Sequence, residues 1–397
     1  MRKWVRNLLI AVVILVAVFC LLIVVAIARP LLHRGSNDLG IHQSVDAPGA
    51  VISAREVFDI PLRLKLAKVH AVHVLYASRD ASGVIQRVSG TVFKPDGAAP
   101  AGGWPIIAFG HGTSGINQPC APSSSSGMDG AAALALGLTS AKYAVAVPDY
   151  QGLGAPGVHP YLDNVTEGHN VIDSVRALRT VFPESSKRWA AYGGSQGGGA
   201  VWGAADAAPS YAPELDLLGA SALVPAADLT GLVDKALAGT LTRDQQLVLQ
   251  WVVESRARTD PNFHRDDFRK GGAVAGWNTL SACDRSLAKQ RDEIAKNLGP
   301  HDIGPQNPAA AQQLRDVLAA YAMPKNRSAA PLQITYGTAD TFIDVAWTDA
   351  AIRRACGLGD TITIDRQPGK GHGDINGDAV IPWLLDRFAG KPAPNNC

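Results

Sequence analysis

No block of five like charges occurs anywhere in this chain, and Lys plus Arg at 37 nearly balance Asp plus Glu at 35. Binding a phosphate backbone needs a clustered basic face, so nucleic acid is excluded as a partner class. Charged residues are few, 18% against 47% hydrophobic, the reverse of the balance that keeps a chain disordered. The body should therefore bury one large core or two smaller ones. Cysteine is scarce as well: five in 397 residues, with no pair at zinc spacing such as C-x-x-C, so no metal is expected. No internal repeat is present, and the only low-complexity stretch is Ser123–Ser126.

Apolar sequence is plentiful at the N-terminus, where Leu8 to Ala28 is unbroken. At ~1.5 Å per helical residue this run spans about 30 Å, the thickness of a bilayer core. It is longer than a signal-peptide core, and no polar segment precedes a cleavage site. The expectation is residues 1–35 as a membrane anchor in a single helix, with the rest of the chain outside the cytoplasm. Arg2, Lys3 and Arg6 before the run and Arg29 and Arg34 after it give only a slight positive-inside bias. Ala26-Ile27-Ala28 fits the small-residue cleavage pattern, so secretion after cleavage near Ala28 is the alternative. Cys20 lies inside the run, which leaves Cys120, Cys283, Cys356 and Cys397 outside it. An exported domain meets an oxidising compartment, so two disulfides are expected, with three connectivities open.

Beyond a polar linker over residues 36–50, strand-like and helix-like segments alternate. "KVHAVHVLYAS" and "VIQRVSGTVF" carry the β-branched alternation of an antiparallel pair. "PIIAFG", "YAVAVPD", "WAAYG", "LLGASALV", "PLQITYG" and "TITID" are short apolar runs, as expected of strands covered on both faces. Helical stretches lie between them, including "TEGHNVIDSVRALRTVF" with Val171, Val175 and Leu178 on one face. The pattern predicts an α/β fold with a mostly parallel central sheet flanked by helices.

One turn in that scheme carries chemistry. "WAAYG" reads as a strand and "QGGGAVWGAADAA" as a helix, so Gly193-Gly194-Ser195-Gln196-Gly197 sits at a strand-to-helix turn. That is the setting of the G-x-S-x-G nucleophile elbow, in which the serine takes a strained backbone conformation and projects its hydroxyl. Gly193 and Gly197 supply the small residues two before and two after. Rival readings fail: no G-x-G-x-x-G fits the stretch, and neither Gly369-Lys370 nor Gly390-Lys391 is followed by Ser or Thr as a P-loop requires.

A serine nucleophile needs a base, and the base needs a carboxylate to fix its tautomer. With the order Ser, acid, His, "LQITYGTADTFID" puts Asp340 just past a strand. "TITIDRQPGKGHGDING" puts His372 in a glycine-rich loop past the next strand, the only one of the ten histidines after Asp340. Asp344, expected in the first turn of the following helix, and Asp374, expected to cap a helix from Ile375, are the competing acids. His70, His73, His169, His264 and His301 are read as surface or structural residues. For the oxyanion hole, the backbone N–H of Gln196 and that of Thr113 in "FGHGTSG" are the nominated donors. His111 beside that loop is read as structural.

On these motifs the chain resembles the secretory lipases of the fungal lipase A type, a branch of the α/β-hydrolases. The resemblance runs from Val51 to Cys397 and rests on "FGHGTSG", "CAPS", "PDYQGLG", "YGGSQGG", "YGTAD" and "GHGD" in that order. It implies Ser195, Asp340 and His372 as a triad, hydrolysis of carboxylic esters and acylglycerols, no cofactor, and disulfides Cys120–Cys283 and Cys356–Cys397. An N-terminal anchor would depart from the family, whose members are usually released.

Residues 225–330 separate the sixth strand-like segment from the seventh and are too long for a plain loop. Thr242-x-x-Gln245 is a capping box before Leu247, Val248, Trp251 and Val252, and Asn307-Pro308 opens a helix with Leu314, Val317, Leu318 and Tyr321 on one stripe. The expected architecture is an α/β-hydrolase core in two parts, 51–224 and 331–397, with a helical insertion that packs against the main domain and that, as the family resemblance implies, forms a cap over Ser195 with an acyl-binding surface. The expected function is a serine esterase or lipase for medium to long acyl chains, acting on an ester or lipid substrate. An envelope acyltransferase using the same acyl-enzyme, and a non-catalytic binding module on a hydrolase scaffold, are the alternatives.

Overall fold

A computed structural model describes residues 4, 14–21, 37–328 and 330–397. The apolar run Leu8–Ala28 lies outside these except for 14–21, which are helical. Among the described residues no helix is long and apolar enough to cross a membrane.

One ten-stranded sheet organises the chain, in the order β1-β2-β3-β4-β6-β5-β7-β8-β9-β10. The first four strands, β1 (Asn37–Asp38), β2 (Val51–Glu56), β3 (His70–Arg79) and β4 (Ile85–Lys94), pair antiparallel. The other six, β5 (Trp104–Gly110), β6 (Ala144–Pro148), β7 (Ser185–Gly194), β8 (Asp216–Leu223), β9 (Leu332–Gly337) and β10 (Ile362–Gln367), run parallel. Every residue of β6 (AVAVP) and β9 (LQITYG) is buried, because helices cover both faces of a parallel sheet. Helices Asn164–Val181, Gln196–Tyr211 and Val345–Leu358 pack on one face with Val171, Val175, Leu178, Trp202 and Ile352. Helix Ala131–Ser140 covers the other through Ala131, Ala135 and Leu138, and Val380–Phe388 joins it through Trp383 and Leu384.

Two strands were not read from the sequence. β1 falls within the stretch expected to be a linker, yet Asn37 and Asp38 pair with Glu56 and Arg55 and extend the sheet edge. With β2 also present, the insertion separates the eighth and ninth strands instead of the sixth and seventh.

That insertion holds five helices: Leu232–Ala238, Arg243–Thr259, Gly272–Leu280, Ala288–Lys296 and Pro308–Tyr321. Thr242 and Gln245 form the expected capping box, each side chain taking the other's backbone N–H. Asn307 caps the last helix by accepting from the Ala310 N–H at 2.8 Å, with Pro308 at its first position. The helices share a second core around Leu249, Val252, Phe268, Trp277 and Leu314, to which Tyr161, Leu162 and Ile343 contribute from the sheet domain. Cys120–Cys283 bonds this unit to the loop after β5, and Cys356–Cys397 bonds helix Val345–Leu358 to the C-terminus.

Candidate active site

β5 is flanked by β6 on one side and β7 on the other. The chain leaving β5 turns one way and the chain leaving β7 the other, which opens a crevice at the carboxyl ends of these strands. The loop after β5 carries Thr113 and the turn after β7 carries Ser195, so topology alone brings the two together.

Ser195 has φ 57° and ψ −118°, a conformation that costs energy for any residue with a side chain. Three main-chain bonds impose it: the Ser195 N–H donates to Leu223 O at 2.9 Å, and its carbonyl accepts from Ala226 at 2.9 Å and Gly199 at 3.1 Å. The turn closes only because Gly193 and Gly197 lack side chains. A Cβ on Gly197 would overlap the Gly110 carbonyl, and one on Gly193 would overlap the Gly197 carbonyl.

The loops after β9 and β10 complete the set. His372 Nε2 lies 3.0 Å from Ser195 Oγ, and His372 Nδ1 lies 2.8 Å from Asp340 Oδ2. The other Asp340 oxygen accepts the N–H groups of Phe342 and Ile343 at 2.9 and 3.0 Å, so the carboxylate is held by its own loop. Phe342 stacks on the imidazole with centroids 4.6 Å apart. A carboxylate fixed in this way holds Nδ1–H and leaves the Nε2 lone pair aimed at the serine hydroxyl.

The competing acids lie elsewhere. Asp344 precedes helix Val345–Leu358 and binds Lys235 Nζ at 2.9 Å and Gln245 Nε2 at 2.8 Å, bracing sheet domain against cap. Asp374 is exposed in a turn and caps nothing, since the next helix begins only at Val380; Asn376-Gly377 keeps the intervening chain irregular. His111 is buried with Nδ1 and Nε2 facing the carbonyls of Gly112 and Asp149 at 2.6 and 3.2 Å, where burial lowers its pKa. Among the described residues no group of three or more His, Cys, Asp or Glu is arranged to hold a metal ion.

The nominated oxyanion donors have unanticipated neighbours. Gln196 is fully buried, and its Nε2 donates to Glu167 Oε1 at 2.7 Å and meets His159 Nε2 at 2.9 Å. Burial raises the Glu167 pKa well above the ordinary carboxyl range, against the bonds from Gln196 and Leu162, and lowers that of His159 to about 3. Thr113 Oγ1 shares a 2.8 Å hydrogen bond with Tyr161 OH. Neither His159 nor Glu167 stood out as functional in the sequence, but one signal was there: Glu167 falls four residues before Val171, on the buried stripe of its helix. A carboxyl on such a stripe needs a partner.

The mostly parallel sheet with flanking helices, the strained turn at Ser195 and the inserted helices make up an α/β-hydrolase fold. The family model for secretory lipases matches residues 124–291. A probable inactive lipase of Mycobacterium tuberculosis is 26% identical over 365 residues, covering 87% of this chain and 79% of its own length. Lipase 6 of Candida albicans is 23% identical over 389 residues, covering 88% of this chain and 80% of its own. Among solved structures, Candida antarctica lipase A in its closed state aligns with a TM-score of 0.71 at 17% identity, over 87% of this chain and 84% of that one. A rice cell wall degrading esterase from Xanthomonas oryzae aligns with a TM-score of 0.64 at 19% identity, over 86% and 96%. Over residues 124–291 the chain is thus similar to secretory lipases, and it shares its fold with solved lipase and esterase structures.

Proposed function

We propose that this hydrolase is a serine esterase or lipase acting on carboxylic esters of medium to long acyl chains. The reading is carried by one observation: the continuous Ser195–His372–Asp340 hydrogen-bond chain at 3.0 and 2.8 Å. In the proposed reaction His372 takes the Ser195 proton as Oγ attacks the ester carbonyl, and the N–H groups of Gln196 and Thr113 receive the oxyanion. His372 then protonates the leaving alcohol. Water, deprotonated by His372, attacks the acyl-enzyme, the acid leaves and the serine regains its proton.

The acyl preference follows from composition. Alanine and glycine surround the elbow, the cap helices carry Leu, Val, Trp and Tyr, and no cluster of Arg or Lys adjoins the triad motifs. A pocket built that way desolvates alkyl chains at about 0.8 kcal/mol per buried CH₂ and offers nothing to a second carboxylate. Two disulfides and the similarity to secretory lipases support export; Leu8–Ala28 is proposed to tether the enzyme outside the cytoplasm, with release after Ala28 as the alternative.

The test is a panel of p-nitrophenyl esters and acylglycerols with fluorophosphonate labelling of the purified chain. Wild type should be labelled and should prefer octanoyl over acetyl esters, while Ser195→Ala should lose labelling and about 10⁴-fold or more of kcat with its fold intact. Activity surviving in Ser195→Ala overturns the nucleophile assignment. A preference for acetyl esters makes it a short-chain esterase.

A further inference from the structure

Three residues of the loop before helix Asn164–Val181, His159, Tyr161 and Leu162, reach the surroundings of both nominated oxyanion donors and the cap. His159 Nδ1–H donates to Gln151 O at 3.0 Å, which leaves Nε2 as the acceptor for Gln196 Nε2–H at 2.9 Å. The other Gln196 amide hydrogen goes to Glu167 Oε1, which also accepts the Leu162 N–H at 3.0 Å. Both hydrogens of the Gln196 amide are thus assigned, while its Oε1 and Glu167 Oε2 are buried without a partner, so the side chain is held through its nitrogen alone. Tyr161 bonds the Thr113 hydroxyl at 2.8 Å. From the cap helix Arg243–Thr259, Ser255 Oγ accepts the Tyr161 N–H at 3.0 Å and donates to His159 O. Trp251 of the same helix meets the Tyr161 ring edge-on, centroids 5.6 Å apart.

Gln196, His159, Glu167, Tyr161 and Ser255 are each at most 2% exposed. Their hydrogen bonds therefore depend on one another and not on bulk water, and a displaced member leaves a partner unsatisfied. The side chains at one end of the network belong to Gln196 and Thr113, whose main-chain N–H groups need placement within a few tenths of an ångström of the oxyanion position.

Resting on the proposed acyl-enzyme mechanism, we infer that the segment His159–Leu162 is a strut that sets both oxyanion donors relative to the cap, with Tyr161 and Ser255 as positioning residues for the chemical step. The cap then acts on turnover as well as on substrate binding. Seating helix Arg243–Thr259 against Tyr161 places Thr113, and the bond from Ser255 to the His159 carbonyl holds the ring that orients Gln196.

The experiment compares the full chain with Tyr161→Phe, Ser255→Ala, Thr113→Val and the double variant Tyr161→Phe/Thr113→Val. Readouts are kcat and KM on a p-nitrophenyl ester, inhibition by an alkylboronic acid that forms a tetrahedral adduct on the serine, and Tm. Tyr161→Phe and Ser255→Ala should each lower kcat by about 10- to 100-fold with KM within about two-fold. Boronate affinity should fall in the same proportion, since only the tetrahedral adduct uses the oxyanion donors. The double variant should be no slower than the slower single one, because both changes break one contact. Unchanged kcat in Tyr161→Phe, a KM effect without a kcat effect, or additive losses in the double variant would each overturn the strut. Tyr161→Phe removes a single oxygen and decides the matter if Ser255→Ala loses the fold. An inactive wild type would instead overturn the esterase reading itself, whereas an active wild type with unaffected variants sinks only the strut.

Discussion

At the scale of single residues, the elbow shows how much depends on one missing methyl group. Gly197 lies against the Gly110 and His111 carbonyls, backbone atoms that cannot rotate away. Gly197→Ala should therefore cost about 3 kcal/mol or more, readable as a large drop in the urea midpoint or as insoluble protein. Gly137 is the contrasting case. It is exposed in helix Ala131–Ser140, and a Cβ there meets nothing within 4 Å. Gly137→Ala should stabilise by about 0.5–1 kcal/mol, because alanine removes backbone entropy from the unfolded chain at no steric cost. A loss of stability in that variant would mean the helix is not formed as described.

Between elements, the strongest tie of cap to sheet domain is covalent. Cys120–Cys283 closes a separation of 163 residues, against 41 for Cys356–Cys397. On a chain-entropy basis the first is worth about 5 kcal/mol and the second about 4. Paired Cys→Ser variants should reproduce that ranking in urea midpoints measured without reductant, and the reverse order would show that the cap does not unfold with the core. Two polar ties assist. Asp344 spans from the β9 loop to Lys235 and Gln245, and Arg258 reaches from the cap to the Asn117 side chain at 2.8 Å. Exposed pairs of this sort contribute little individually; their effect is orientation of the cap.

For the whole molecule, buried carboxyls and histidines set the dependence of stability on pH. Burial raises Asp206 to about 7 against the pull of the Lys325 and Asn326 N–H groups. It raises Asp173 to about 6 against Arg176. Unfolded, both titrate near 4. A raised folded value means the folded state holds the proton more tightly, so this contribution is complete below about pH 4 and is lost as pH climbs through about 6 and 7. Partial burial pushes Asp80 upward, but hydrogen bonds from Ser82, Gln86 and Val84 outweigh it and hold the group low. That contribution runs the other way and is lost in acid. Burial also lowers His159 to about 3 and holds His111 low, so their contribution is lost as pH falls below about 6.5 and opposes the carboxyl term over the same range. Asp206→Asn keeps an acceptor for both N–H groups and removes one titration, so its Tm relative to wild type should rise between pH 5 and 7. An unchanged difference across that range in scanning fluorimetry would remove Asp206 from the account.

The sequence by itself determined what is encoded within a few residues of chain. The elbow at Ser195, the order Ser195, Asp340, His372, the capping box at Thr242 and the apolar runs of the parallel strands each need only local pattern and turn chemistry. Tertiary structure decided the rest. Asn37–Asp38 and Val51–Glu56 became strands because an open sheet edge offered unpaired backbone groups. Asp374 lost its expected helix because Asn376-Gly377, a turn-forming pair, follow it before the helix that starts at Val380. The Gln196 side chain meets Glu167, 29 residues away along the chain, and His159, 37 residues away. Local propensity carries no information about which buried donor will meet which acceptor; that is settled only when the helix Asn164–Val181 and the elbow helix close over the same face of the sheet.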